Sequence, residues 1–318
     1  MFDLKQKHIL VTGGSGFLGT QIVKKLISRG VLESDIIAPR KKDYDLRRRE
    51  ICDNLTKGID VVIHAAGTVG GVAFNREHPA VAFYDNAVMS LNLIDSSYRA
   101  GVQKFVGIGT VCEYPKFSPI PFKEDDLWNG YPEETNAAYG LAKKMMLIQS
   151  QAYRAEYGFN AVHLLLTNLY GPGDNFDAKN SHALVALVRK TVEAATKGEK
   201  FIEVWGKGKA TREFLYVEDA AEAIVLAAEK YNGANPVNIG SGEEISIKAL
   251  AELIMKLINF QGEIKWDPSK PDGQPRRSLD VSRAQKEFGF KAKTPLDVGL
   301  RKTIEWWQSE GVKKYNLL

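Results

Sequence analysis

The sequence predicts an α/β protein, a doubly wound parallel sheet followed by a smaller C-terminal α/β domain. Three observations predict it. A glycine-rich turn follows the first apolar run, short apolar runs then alternate with helix-length segments as far as residue 168, and beyond that point the alternation loosens.

The first strand-like run is His8-Ile9-Leu10-Val11. It leads into Thr12-Gly13-Gly14-Ser15-Gly16-Phe17-Leu18-Gly19, a G-x-x-G-x-x-G pattern, and on into a helical segment at 17–29. Gly13 permits the tight turn, Gly16 lets backbone approach a pyrophosphate, and Gly19 allows close helix–sheet packing; the start of the helix then faces the anion. This strand–turn–helix context makes the sheet Rossmann-type, with Gly13, Gly16, Phe17, Leu18 and Gly19 as cofactor contacts.

The second strand, Asp35-Ile36-Ile37-Ala38, ends in Pro39-Arg40-Lys41-Lys42. An NAD site carries an acid here to bond the ribose hydroxyls, whereas a cation suits the 2′-phosphate of NADP, and Arg40 is the best single candidate. The third strand, 61–63, ends in His64-Ala65-Ala66-Gly67. Small Ala65 and Ala66 let a cofactor lie against the strand ends, and His64 reads as a packed core residue.

A helix at 79–100, a strand at 105–108, a helix at 139–157 and a strand at 162–166 continue the series, which predicts a sheet covered on both faces. Gly171-Pro172-Gly173-Asp174 is a turn cluster. Helices are expected at 181–197, 219–230, 246–258 and 294–308, with short strands near 201–205 and 237–239. Residues 268–275 form a second turn-rich stretch. The cofactor half is expected over 1–170 with returns near 210–240, and the substrate half mainly over 171–318, interleaved with it.

Composition narrows the function. The 318 residues are 44% hydrophobic and 26% charged, with net charge +4, an ordinary globular balance. No stretch reaches the roughly 18–20 apolar residues of a membrane span, and the first residues carry no signal segment. Cys52 and Cys112 cannot make a disulfide framework, and five scattered histidines offer no metal cluster. A soluble cytoplasmic protein without metal, nucleic acid or membrane partner is the expectation. The basic stretch over 40–49 is interrupted by Asp43 and Asp45 and holds one aromatic, Tyr44. Its place at the cofactor ribose explains it better than nucleic-acid binding does.

Tyr139-Gly140-Leu141-Ala142-Lys143 is Y-x-x-x-K at the start of a helix, and the i, i+4 spacing puts both side chains on one face. A phenol titrates at about 10, and a neighbouring ammonium favours the phenolate, so the pair can exchange a proton with a carbonyl oxygen. Thr110 ends the fourth strand and points a hydroxyl into the same cleft.

With Asn168-Leu169-Tyr170-Gly171-Pro172, these residues resemble the extended short-chain dehydrogenase/reductase superfamily. Within it the chain resembles the GDP-L-fucose synthase family, the GDP-4-keto-6-deoxymannose 3,5-epimerase/4-reductases. The segments that carry the likeness are Val69-Gly70-Gly71, Cys112-Glu113-Tyr114-Pro115-Lys116, Asp174-Asn175-Phe176 with Asn180-Ser181-His182, Arg212-Glu213-Phe214-Leu215 and Lys270-Pro271-Asp272-Gly273. They run over nearly the whole chain.

The resemblance implies NADP(H) as cofactor and a GDP-linked keto sugar as substrate. Thr110 takes a hydroxyl role usually held by serine, Tyr139 is the proton donor for reduction at C4, and Lys143 lowers its pKa. Cys112 and His182 match the acid–base pair for epimerisation at C3 and C5. Such chemistry is reasonable, because protons beside a ketone are acidified and inversion needs two differently placed groups titrating near neutrality. Thr110, Tyr139 and Lys143 would stabilise the intervening enolate. Tyr139, Lys143, Asn168 and His182 also count as cofactor contacts. Arg212 grips the diphosphate, and Lys190, Trp205 and Asp272 complete the substrate site, with Asn168 a further candidate. The segments 79–100 and 139–157 match helices that pair into a homodimer.

Three departures stand out: threonine at 110, Glu113 where the family has an uncharged residue, and Gly173 where a larger polar residue is common. The last two are placed beside the sugar, which leaves room for a GDP-heptose. A 4,6-dehydratase needs an acid–base pair of carboxylates where Val111 and Cys112 stand. A simple 4-epimerase keeps NAD bound, against the Arg40 region. A non-catalytic NADP sensor typically lacks the tyrosine or the lysine retained here.

Overall fold

The computed structural model describes residues 2–178, 181–270 and 273–315. From the N-terminus run β1 (Ile9–Thr12), α1 (Phe17–Ser28), β2 (Ile36–Ile37), α2 (Arg49–Leu55), β3 (Val61–His64), α3 (Val72–Glu77), α4 (Pro79–Arg99), β4 (Lys104–Thr110), α5 (Ala137–Tyr157) and β5 (Ala161–Leu166). Then follow β6 (Asn168–Tyr170), α6 (Ala183–Lys197), β7 (Phe201–Trp205), β8 (Thr211–Tyr216), α7 (Val217–Lys230), β9 (Val237–Ile239), β10 (Glu244–Ser246), α8 (Ile247–Ile258), β11 (Glu263–Asp267), α9 (Ser282–Phe288), α10 (Leu296–Trp306) and α11 (Val312–Lys314).

Strand residues that are apolar on both faces build a sheet buried on both faces. Six strands lie in the order β2-β1-β3-β4-β5-β9, every pair parallel. Successive side chains of β1 point to opposite sides. Ile9 and Val11 pack with Ile22 and Leu26 of α1 and Ile224 of α7, whereas Leu10 packs with Leu93 of α4 and Met146 of α5. The chain leaves β1 toward β2 and returns to β3 on the other side. That reversal opens a crevice at the carboxyl ends of β1 and β3, where doubly wound sheets bind ligands.

A second, smaller layer forms around the three-stranded sheet β10-β8-β6 and the parallel pair β11-β7. Its core gathers Leu184 and Val188 of α6, Leu250 and Ile254 of α8, Leu300 of α10, and Trp307. β5 and β6 are separated only by Thr167, whose amide donates to the Ile239 carbonyl at 3.1 Å. The chain therefore passes between the layers beside the crevice. It returns through α7, whose Ala220, Ala223 and Ala227 are fully buried in the first core. Among the described residues no helix is long and apolar enough to cross a membrane.

Candidate active site

The first part of the site is the turn between β1 and α1. Gly13 has φ +71°, and a Cβ there would lie 2.8 Å from the Ala66 amide, so the turn is pressed onto the end of β3. This close approach needs small residues at 65 and 66. A Cβ on Gly19 would stand 2.0 Å from the Gly13 carbonyl oxygen, which locks α1 against the turn. Helix α1 begins at Gly16 with no side-chain cap and no acid in its first turn. Its first amides and positive end are thus available to an anion. Gly13, Gly16, Phe17, Leu18, Gly19, Ala65 and Ala66 all line one cleft of about 1050 Å³. The cradle fits the pyrophosphate of a dinucleotide.

At the far end of this cradle the lining residues include Pro39, Lys41 and Arg47. Arg40 is exposed and is not among the described residues lining the cleft. Its carbonyl accepts the amides of Asp43 and Tyr44, both at 3.0 Å, in a turn that brings Lys41 to the cleft instead. Arg47 is held by Asp45 at 2.7 Å and Asp85 at 3.1 Å. His64 is fully buried, hydrogen-bonded to the Thr12 hydroxyl at 2.8 Å. Burial pushes its pKa down to about 3, with the Lys143 charge a smaller cause, so it is a neutral core residue.

The second part of the site is the single turn that follows β4. Thr110 and Glu113 form a capping box: the Thr110 hydroxyl accepts the Cys112 amide at 3.3 Å, and Glu113 Oε1 accepts the Thr110 amide at 2.8 Å. Helix α5 crosses this turn so closely that a Cβ on Gly140 would be 2.1 Å from the Cys112 carbonyl oxygen. Tyr139 is thereby held beside Thr110 and Cys112. Burial pushes the Tyr139 phenol above its ordinary value, and the neighbouring Cys112 and Glu113 act in the same direction. A hydrogen bond from the Thr110 hydroxyl opposes them. Lys143, expected to lower that phenol, donates from Nζ to the Ile108 carbonyl at 3.0 Å. Burial pulls Lys143 down to about 8, with the charge of Glu113 opposing.

Glu113 does not stand beside the sugar as expected from the resemblance. Its carboxylate is fully buried and turned into the sheet, where it accepts His163 Nε2 at 3.1 and 3.0 Å on its two oxygens. Gly109 makes that possible, because a Cβ there would be 2.4 Å from Glu113 Oε1. Cys112 lines the cleft and Glu113 does not. Gly173 does line it, with φ +88° and no atom within 4 Å of where a Cβ would stand.

His182 is the N-cap residue of α6 and lines the same cleft as Cys112. Desolvation by the neighbouring protein lowers its pKa, although the residue keeps an exposed surface. The substrate candidates extend the cleft into the second layer. Lys190 lines it with Nζ on the Glu203 carbonyl at 2.9 Å, and half-exposed Trp205 lies nearby. Arg212 donates to the Gln274 carbonyl at 2.6 Å, and Asn168 to the Glu213 carbonyl at 2.9 Å. Asp272, together with Asn180 of the quoted motif, lies outside the described residues.

Asp174 and Arg277, to which the sequence assigns no functional role, also line the cleft. Asp174 is buried with Oδ2 lacking a partner among the described residues, and burial raises its pKa to about 7. Arg277 donates from Nη1 to the Cys112 sulfur at 3.7 Å. Its signal in the sequence was the paired Arg276-Arg277 directly after the 268–275 turn.

Residues 9–240 match the NAD dependent epimerase/dehydratase family. The chain is 40% identical to a protein of Sinorhizobium fredii named GDP-L-fucose synthase, over 96% of each chain. Among solved structures it is similar to a GDP-6-OMe-4-keto-L-xylo-heptose reductase from C. jejuni, with TM-score 0.90 and 26% identity, over 98% of this chain and 100% of the other. It is likewise similar to a GDP-L-fucose synthetase from Naegleria fowleri bound to NADP, with TM-score 0.86 and 27% identity, over 99% and 97% of the two chains.

Proposed function

The chain belongs to the NAD dependent epimerase/dehydratase family and, within it, to the GDP-L-fucose synthases, and from that premise we propose its reaction: NADPH-dependent 3,5-epimerisation and 4-reduction of a GDP-4-keto-6-deoxy sugar, GDP-4-keto-6-deoxymannose to GDP-L-fucose. One observation carries this reading. Thr110, Cys112, Tyr139 and His182 line a cleft that is continuous with the glycine cradle.

The Gly13–Gly19 turn, Ala65 and Ala66 hold NADP(H), and Lys41 takes the 2′-phosphate in place of Arg40. Bound there, the nicotinamide supplies the two electrons that reduce the C4 ketone. The hydroxyls of Thr110 and Tyr139 orient the ketone oxygen, and Tyr139 gives it a proton. Before that, Cys112 and His182 exchange protons at C3 and C5 on opposite faces of the ring, while Thr110 and Tyr139 hold the enolate oxygen. Lys143 keeps a positive charge next to this chemistry. Arg212 and Lys190 bind the diphosphate, and Trp205 offers an aromatic surface.

A second reading, reductase of a GDP-linked heptose, is supported by the open space at Gly173, which a longer sugar could enter. Residues 1–170 with returns near 210–240 form the cofactor half, and 171–318 mainly the substrate half. The protein works as a homodimer through α4 and α5, whose outer faces expose Tyr84, Leu91, Met145 and Ile148. A reduced Cys112 thiol and a supply of NADPH fit the cytoplasm.

The reading is tested in deuterated water with NADPH and GDP-4-keto-6-deoxymannose. A reduced product bearing deuterium at C3 and C5 is expected, with the label lost in Cys112→Ser and His182→Asn. Reduction without label would leave a plain reductase. Turnover only of a GDP-4-keto-heptose would move the substrate assignment to the second reading.

A further inference from the structure

We propose that Arg277 is a further catalytic residue, holding the sulfur of Cys112 as the thiolate that removes the proton beside the ketone. This rests on the reading of Cys112 and His182 as the epimerisation pair.

Arg277 is 9% exposed and comes from the segment between β11 and α9. Nη1 donates to Cys112 Sγ at 3.7 Å, while Nε and Nη2 both donate to Gln274 Oε1, at 3.2 and 3.0 Å. The amide of Gln274 is itself fixed, because its Nε2 donates to the Lys116 carbonyl at 2.7 Å. Its oxygen therefore faces the guanidinium. Among the described residues no carboxylate pairs with Arg277, so a nearly buried cation faces one neutral amide and one sulfur. A buried charge without a counter-charge is costly. Ionising the thiol supplies the missing negative charge at contact distance, and cations beside cysteine are known to favour the thiolate.

The other charged and titratable groups around Cys112 are placed differently. On its own turn, Glu113 is turned away to His163 of β5. On α5, Tyr139 is neutral at physiological pH, and the Lys143 ammonium is on the Ile108 carbonyl. His182 lines the cleft at the start of α6. Among the described residues Arg277 is the cation in contact with the sulfur. Cys52 provides the contrast: it is buried in the first layer with Sγ on the Leu46 carbonyl, and burial pushes its thiol up to about 12.

In the step itself, the S–H bond forms as the C–H bond beside the ketone breaks, and the electron pair moves onto the ketone oxygen as an enolate. His182 then returns a proton to the same carbon on the opposite face, and both groups re-equilibrate with solvent. Nothing is oxidised or reduced, and Arg277 keeps its protons.

The test uses the full chain without sugar. Iodoacetamide labelling at pH 7 is read peptide by peptide, with buried Cys52 as the internal check on folding. Replacing Arg277 by Met or Gln is expected to slow Cys112 labelling about tenfold, Arg277→Lys to retain most of the rate, and the deficit to close as the pH is raised. Wild-type or faster labelling in both neutral variants, with Cys52 still protected, would overturn the proposal. Labelling needs no substrate, so a wrong sugar leaves the result standing. If labelling slows while Arg277→Met keeps full deuterium exchange at C3 and C5, the thiolate is not the base and the catalytic role is overturned.

Discussion

Lys143 shows how burial, only partly offset by the charge of Glu113, gives a residue a pH signature. Its ammonium is bonded to one carbonyl and pulled down to about 8, so the charge is present below that pH and lost as pH rises through it. NADPH oxidation is therefore expected to decline above about pH 8. The stability sign is opposite. The unfolded lysine keeps its proton to about 10.4, so between these values the unfolded state binds more protons and this residue's contribution to stability rises with pH. A turnover loss above pH 8 without a drop in Tm would separate the two effects, and Lys143→Arg should move the activity limb upward. Residue chemistry of this kind was partly legible: Tyr139 and Lys143 stand out by spacing. The direction in which Glu113 points was not, because it depends on the space Gly109 leaves beneath the turn.

At the scale of elements, the site depends on how closely α5 lies on the turn after β4. Gly140→Ala would place a methyl 2.1 Å from the Cys112 carbonyl oxygen. Overpacking of this sort costs about 1–3 kcal/mol. It should lower Tm and sharply reduce both epimerisation and reduction while NADPH affinity falls less, since the pyrophosphate cradle lies on α1 and only Tyr139 and Lys143 of the cofactor contacts lie on α5. Calorimetry and NADPH fluorescence titration check the two halves of that expectation. Long helices with clear periodicity are readable from sequence. Strands β6, β8 and β10 are not, because they are short or begin with polar residues such as Thr211 and Arg212, the latter lining the cleft, which breaks their apolar pattern.

For the whole molecule, the proposed homodimer rests on the outer faces of α4 and α5. Tyr84 is 60% and Ile148 50% exposed, apolar surface that a partner chain would cover. Sedimentation should give twice the chain mass of 35.3 kDa, and Tyr84→Glu with Ile148→Glu should give monomers. A wild-type monomer would remove the dimer from the proposal. The sequence by itself determined the sheet type, the glycine cradle and the Tyr139–Lys143 pair, because each follows from spacing along one strand–turn–helix unit. Only the tertiary structure decided that Lys41 rather than Arg40 reaches the cleft, that Glu113 is buried on His163, and that Arg277 meets Cys112 across 165 positions of chain. Local spacing governs which side chains share a face of one element; contacts between distant segments depend on packing, which no local pattern encodes.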